Sequence, residues 1–472
     1  MAIPNIFRTG MSGMMASKTA VATTGHNISN ANTEGYSRQR VQQETTTPQI
    51  GSGRNILGTG VQPARTERVN DEYLEKHIRN GVRDLSNFEE KDTALRQIED
   101  IFNEMNGEGL NRLMSRFFNE FRKLSNEPDS EAVRQSVREA SQAIVNDFHR
   151  LRNEVVEVRK HIDSRIEGYS KEINTATEEI RDLNIKIQQA EATGVSPNDL
   201  LDKRDKALKN LATYMDIAAH KDNKGHYSVD VRGVGPLVVG PNAEKFSVER
   251  TPADQDGKGE NSVDLRTSAS AHGNVTHGLK GGKLGALLEV RDQMLTTILD
   301  RLDTMAYSLS EAVNDVHAEG YTRTGQKGIA FFAPMSGKDR AAEFLQLSDD
   351  VKTNINNIAT AAIPDAPGDN RIALAIAGLQ DHRILNDGRA NFDEFYNSIV
   401  SDVGVATQRN KAGISQQKDI MTQLNKMRDQ ISGVSIDEET ANLLQFQQTY
   451  GASAKVIQVA DEMLKTVLDL KR

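Results

Sequence analysis

The residues able to do chemistry in this 472-residue chain are ten histidines, 67 Asp and Glu, and 58 Lys and Arg, with no cysteine. The missing thiols exclude disulfides, thiolate nucleophiles, iron–sulfur ligation and Cys-based zinc sites together. His272 and His277 stand five apart in a Gly-rich stretch with no acid at zinc spacing, and HExxH is absent, so solvated loop histidines are expected there. Residues 277–284 (HGLKGGKL) approach a phosphate loop, yet the first Gly of GxxxxGK[ST] falls on His277 and its Ser or Thr on Leu284. Residues 51–60 (GSGRNILGTG) hold G-x-G without the third dinucleotide glycine, and GxSxG does not occur. The paired carboxylates Glu89/Glu90 and Glu438/Glu439 lie on helical patterns, where a solvated face or a helix N-terminus accounts for them. No catalytic, cofactor-binding or metal-binding set emerges, and a non-enzyme without cofactor is expected.

What remains to explain is the arrangement of helices. The chain is long enough for about three domains, and its net charge of -9 argues against wholesale nucleic-acid binding. Residues 1–15 lack the apolar core of a cleavable secretory signal, and nowhere do ~18 apolar residues run together, so neither a signal peptide nor a membrane span is expected. Phe7, Met14, Val21 and Ile28 recur at seven-residue spacing near one end. Ile436, Leu443, Tyr450, Ile457 and Leu464 do so near the other, with Phe446, Ser453, Ala460 and Val467 three positions further on. Residues 1–60 carry five bases against two acids, and residues 433–472 carry six acids against four bases. Matching seams and opposite charge predict that the two chain ends pair.

Between the ends the reading is mainly α with a β-rich insert, an α+β chain. From Ile144 to Ala190 apolar residues alternate by four and three, with one stutter around Ile162, which predicts a left-handed coiled-coil helix about 70 Å long. Residues 216–278 change to period two, in Tyr227, Val229 and Val231 or Phe246 and Val248, punctuated by glycines. The polar run 254–261 (DQDGKGEN) belongs on a surface. Long helices are expected again over 283–316 and 392–431, the latter with a polar middle at Asn410, Gly413 and Gln417. The predicted divisions are 1–75 (N-terminal helix and turn-rich segment), 76–215 (helical coiled-coil domain, first part), 216–282 (β-rich insert) and 283–320 (return helix). They continue with 321–390 (mixed segment), 391–432 (third helix of the coiled-coil domain) and 433–472 (C-terminal helix).

Residues 26–39 (HNISNANTEGYSRQ) resemble the N-terminal signature of the flagellar axial proteins of rod, hook and hook-associated structures, with His26 standing where that signature has Asn. Residues 433–464 resemble the partner signature. Residues 198–211 (NDLLDKRDKALKNL), 281–291 (GGKLGALLEVR) and 314–325 (NDVHAEGYTRTG), the last followed by Phe331 and Phe332, narrow the resemblance to the hook-associated protein 1 branch, the junction between hook and filament. The resemblance implies a bacterial, extracellular, self-assembling structural subunit of the motility apparatus, exported without a cleavable signal. It implies terminal helices lining an inner tube, with the coiled-coil domain outside them and the β-rich part outermost. Implied partners are further copies of itself, the hook protein, the next junction protein towards the filament, and the export apparatus with its chaperone, but neither nucleic acid nor membrane. It also puts Asn27, Asn30, Gly35 and Tyr36 in the assembly interface beside the heptad rows. The alternatives weighed are a hook or distal-rod protein, flagellin, a wall hydrolase on a flagellar scaffold, and a cytoplasmic coiled-coil adaptor.

Overall fold

A computed structural model describes residues 2–50, 56–103, 109–221, 227–251, 262–267, 273–366 and 368–469. The loop 254–261 and His272 lie outside the described residues. Along the chain, α1 (Ala2–Ser29) is followed by strands β1 (Gln39–Thr45), β2 (Gln49–Ile50), β3 (Ile56–Leu57) and β4 (Val61–Arg68). Helices α2 (Glu72–Ile101), α3 (Leu110–Asn126), α4 (Glu131–Ala192) and α5 (Asn198–Tyr214) lead to β5 (Ile217–Lys221), β6 (Tyr227–Val231), β7 (Gly235–Val239), β8 (Asn242–Ala243), β9 (Phe246–Thr251) and β10 (Ser262–Thr267). Then come α6 (Gly282–Glu289), α7 (Thr296–Glu319), the short α8 (Ala341–Phe344), α9 (Asp349–Thr353) and α10 (Arg371–Gly378), and finally α11 (Phe392–Ser432) and α12 (Ile436–Asp469). The chain is mainly helical with small antiparallel sheets, as its periodicities predict. No helix among the described residues is long and apolar enough to cross a membrane.

The chain divides into two compact units. One comprises Met1–Asp84, Ile173–Lys245 and Gln416–Arg472; the other comprises Leu85–Glu172 and Phe246–Ser415. In the first unit, β1 and β4 form an antiparallel ribbon beside α1, and β5–β8 form a meander in chain order. The β9–β10 hairpin belongs to the second unit, so the stretch read as one β-rich insert contributes to both.

The alternating row on α4 is the buried one. Ile144, Phe148, Leu151, Val155, Ile162, Ile166, Ile173, Ile180, Leu183 and Ile187 are all 6% exposed or less. The helix is longer than its apolar row suggests, because it begins at Glu131, where Ser130 supplies a capping hydroxyl to Val133 N–H. In the second unit the polar middle of α11 meets α2: Asn410 Nδ2 donates to Phe88 O at 2.9 Å, and a Cβ on Gly413 would lie 2.7 Å from the Phe88 ring. Small and amide residues at that seam admit the bulky ring and fix the register. The core of this unit is an aromatic cluster of Phe117, Phe121, Phe331 and Phe332, with edge-on ring contacts at 5.0–6.1 Å.

Candidate assembly interface

In the first unit α1 and α12 pair antiparallel, as their contacts show: Gly10 faces Ile457, Gly13 faces Ser453 and Asn27 meets Glu439. The face of α1 that carries Gly10 and Gly13 continues through small residues, Ser17, Ala20 and Thr24, and Gly10 and these three are buried. A Cβ on Gly10 would lie 2.8 Å from Ile457 Cγ1, and one on Gly13 would lie 2.8 Å from Ser453 Oγ, so these glycines permit the helices to approach. Ser12 Oγ accepts from Val61 N–H at 3.2 Å and ties β4 to the same place.

The heptad rows flank this waist. Met14, Val21 and Ile28 are half-buried and Phe7 is exposed; Leu443, Phe446 and Ile457 are half-buried; Ile436, Tyr450, Leu464 and Val467 are exposed. Only Glu439 and Ala460 are fully buried among the described residues of α12. Twelve of the twenty-three large apolar side chains left exposed among the described residues lie on these two helices. Propensity and capping can form such a helix, but only burial holds it against fraying.

The turn after α1 fastens the pair. Asn27, 1% exposed, spends every hydrogen-bonding group: Nδ2 donates to Gln39 O at 2.8 Å and to Glu439 Oε2 at 3.0 Å, and Oδ1 accepts from Tyr36 Oη at 2.8 Å and Gln39 N–H at 2.9 Å. Arg38 Nε donates to Glu439 Oε1 at 2.7 Å, and Arg38 N–H donates to Ser432 O at 2.9 Å. Asn30 Nδ2 donates to His26 O at 3.0 Å and closes the last turn of α1. Gly35 has φ +84°, the left-handed region that a side chain resists, and it delivers Tyr36 back onto α1. Burial, with Asp199, Asp202 and Glu439 nearby, raises the Tyr36 phenol well above its ordinary pKa, keeping it a donor.

Residues that spacing did not single out complete the cluster. Asp202 on α5 accepts from Ser37 N–H at 3.0 Å and from Arg68 at 3.1 Å, and Arg68 also reaches Asp205 at 2.5 Å. Burial raises the Asp202 carboxyl, opposed by those donors. Asn198 Nδ2 donates to Thr66 O at 2.9 Å, and Gln39 Nε2 to Asp199 at 2.7 Å. Three separate sequence signatures, 26–39, 198–211 and the start of 433–464, are therefore one polar network. The signal was present as the motifs, but their meeting is tertiary.

The remaining motifs serve the second unit. Arg291, 2% exposed, donates to Asp163 at 2.8 Å and to Val263 O at 2.7 Å, binding the β9–β10 hairpin to α4 from a single wide π-turn, Val290–Leu295. Asn314 exchanges two hydrogen bonds with the Phe332 backbone. His317 Nε2 accepts from Ala359 N–H at 2.8 Å, which assigns Nδ1–H as donor to Ile329 O at 2.7 Å. Burial pushes this imidazole down to about 4 and holds it neutral. Glu90 is buried against Arg165 and Tyr169, and His277 is exposed. Among the described residues no three His, Asp or Glu gather as a metal site.

Residues 95–332 match the family model described as the flagellar hook-associated protein FlgK helical domain. Residues 7–36 match that of flagella basal body rod proteins, and 428–470 that of the C-terminal region of flagellar basal body rod FlgEFG proteins. Proteins named flagellar hook-associated protein 1 align nearly end to end: that of Bacillus subtilis is 26% identical over 98% of this chain and 97% of its own, and that of Escherichia coli K12 is 24% identical over 99% and 100%. A solved structure, titled as the flagellar hook junction protein FlgK from Burkholderia pseudomallei, shares the fold with a TM-score of 0.66 at 16% identity, covering 75% of this chain and all of that one. The helical domain over half the length, and end-to-end relatives, establish that the chain belongs to the flagellar hook-associated protein FlgK family.

Proposed function

We propose that the chain is a structural subunit of the bacterial flagellum that self-assembles into the junction connecting hook to filament. The observation that carries this reading is the terminal pair: two helices locked in register by Asn27, Arg38 and Glu439 display a largely apolar surface that none of the described residues covers. Contiguous apolar surface of this kind marks an interaction site. In this reading 1–75 and 433–472 line an inner tube, 76–215, 283–320 and 391–432 form the coiled-coil domain outside it, and 216–282 and 321–390 lie outermost. The heptad residues of α1 and α12, with Asn27, Asn30, Gly35 and Tyr36, form or support the assembly interface. The hook protein adjoins one side and the next junction protein the other, and the chain reaches them through the flagellar export apparatus with a chaperone, without a cleavable signal and without catalysis. A hook or rod subunit would share the terminal segments but has no use for the helical domain at 95–332.

Electron microscopy of cells lacking the gene tests the reading. Intact hooks beside detached filaments are expected. Filaments still joined to hooks, or hooks that fail to form, would overturn it.

A further inference from the structure

The signature at 198–211 leaves one charged member outside the polar network of the terminal turn. Asn198, Asp199, Asp202 and Asp205 are all engaged there, whereas Arg204, 5% exposed on α5, makes no hydrogen bond or ion pair with any described residue. The other buried arginines among the described residues, Arg134, Arg152, Arg159 and Arg291, all have polar partners. The Arg204 guanidinium instead sits over the Tyr227 ring of β6, with Cζ 3.7 Å from the ring centre. Nε is enclosed with no acceptor, while Nη1 and Nη2 reach the surface and are equally unpaired. Burial lowers the pKa of this guanidinium. A charge enclosed without an acceptor is costly, and an aromatic face satisfies none of the N–H groups in the guanidinium plane.

Two more bases without partners border the same ring. Lys221 stands opposite Tyr227 in the β5–β6 ladder, so the two side chains leave the same face of the meander. Arg79 reaches the ring from α2: burial raises the Tyr227 phenol, Arg204 and Arg79 lower it, and Asp205 and Glu72 add to the rise. Neither Lys221 nor Arg79 has an ion-pair partner among the described residues. Of the acids nearby, Asp205 is spent on Arg68, and Glu72 and Glu191 are exposed and pair with none of the three bases. Asn184 of α4 fixes the strand that carries the ring, donating from Nδ2 to Tyr227 O at 3.3 Å and to Gly240 O at 3.2 Å. We infer that Arg204, Lys221 and Arg79, gathered around Tyr227, bind a small doubly charged oxyanion of the inorganic phosphate class. The free edge of Arg204 supplies parallel donors for two oxygens, and Lys221 and Arg79 supply the balancing charge. The bound anion ties α5 to β5 and α2 within the first unit, independently of any role in assembly.

Calorimetric titration of the full-length chain with inorganic phosphate tests the site, at about pH 8, where phosphate is doubly charged, with no other oxyanion present and ionic strength held by sodium chloride. Saturable binding of one phosphate per chain is expected, with a rise in Tm that follows the occupancy. Lys221→Gln, at an exposed position, should keep the fold and weaken phosphate by about tenfold, the value of one charge-assisted hydrogen bond. Arg204→Lys keeps the charge but loses the parallel donors, and it should weaken binding at least as much. Lys411→Gln removes one charge from the other unit and should bind as the wild type does. A response to phosphate no larger than that to sodium chloride, or the same affinity in Lys221→Gln and Lys411→Gln, would overturn the site.

Discussion

Glu439 and its neighbour Glu438 look alike in the sequence and differ in consequence. Glu439 is 2% exposed and takes both Arg38 and Asn27; Glu438 is a largely solvated partner of Arg38. Removing one member of a buried, hydrogen-bonded pair leaves the other unsatisfied, whereas an exposed ion pair contributes little. Glu439→Ala should therefore loosen the start of α12 by about 2 kcal/mol in hydrogen-exchange protection, and Glu438→Ala by less than about 0.5 kcal/mol. Equal effects would show that the lock is not Glu439. Two buried groups in the second unit titrate in opposite senses. Burial raises the Asp303 carboxyl to about 6, although it accepts from Ala342 N–H at 2.9 Å. A raised folded-state pKa means stability that is complete below the ordinary carboxylate pKa and is lost as pH rises through 6. Asp303→Asn keeps the acceptor, so it should gain about 2 kcal/mol on the wild type at pH 7.5 and nothing at pH 4. His317, pushed down to about 4, contributes stability present above its ordinary 6.5 and lost as pH falls through 4. Melting of the wild type should drop on that acid side, and Asp303→Asn should not prevent it.

At the level of elements, the helices were legible and their tight contacts were not. The four-and-three alternation on α4 named its buried row because large aliphatic side chains there face the core. On α1 the same rule picked out Phe7, Met14, Val21 and Ile28, whereas the close approach to α12 runs through Gly10 and Gly13. Hydrophobic periodicity registers size and apolarity, and a contact made by missing side chains leaves no such trace. The polar network escaped for another reason: Asp202, Arg68 and Asn198 become partners only when α5, β4 and the turn at Gly35 come together. Two substitutions separate packing within the chain from assembly. Gly13→Leu should force α1 from Ser453 and raise protease cutting in both terminal helices. Leu464→Asp, at a position 43% exposed, should leave monomer melting within about 0.5 kcal/mol of wild type and still abolish incorporation. If Leu464→Asp assembled normally, the end of α12 would have no role in assembly.

For the whole molecule, the contrast lies between a helix with two buried residues and a unit centred on a phenylalanine cluster. Local stability follows buried apolar contact. Limited proteolysis of the dilute chain should trim α1 and α12 first, leaving a resistant fragment of roughly residues 80–430, read by mass spectrometry. Equal protection of α12 and α4 would contradict this. In a motility assay, shortening the polar run 254–261 should be tolerated and Leu443→Asp should not. The reverse order would assign the essential surface to that run.

The pairing of the two ends also acts in time. Asn27 and Glu439 are 412 positions apart, so α1 is synthesised long before the helix that completes it. Closing so long a loop is entropically costly and slow compared with local helix formation. The first helix thus remains without its lock until the last segment arrives. A chain cut short anywhere before Glu439 lacks the acceptor that locks Asn27 and Arg38, so under the proposed assembly role truncated chains are expected to be excluded from the junction.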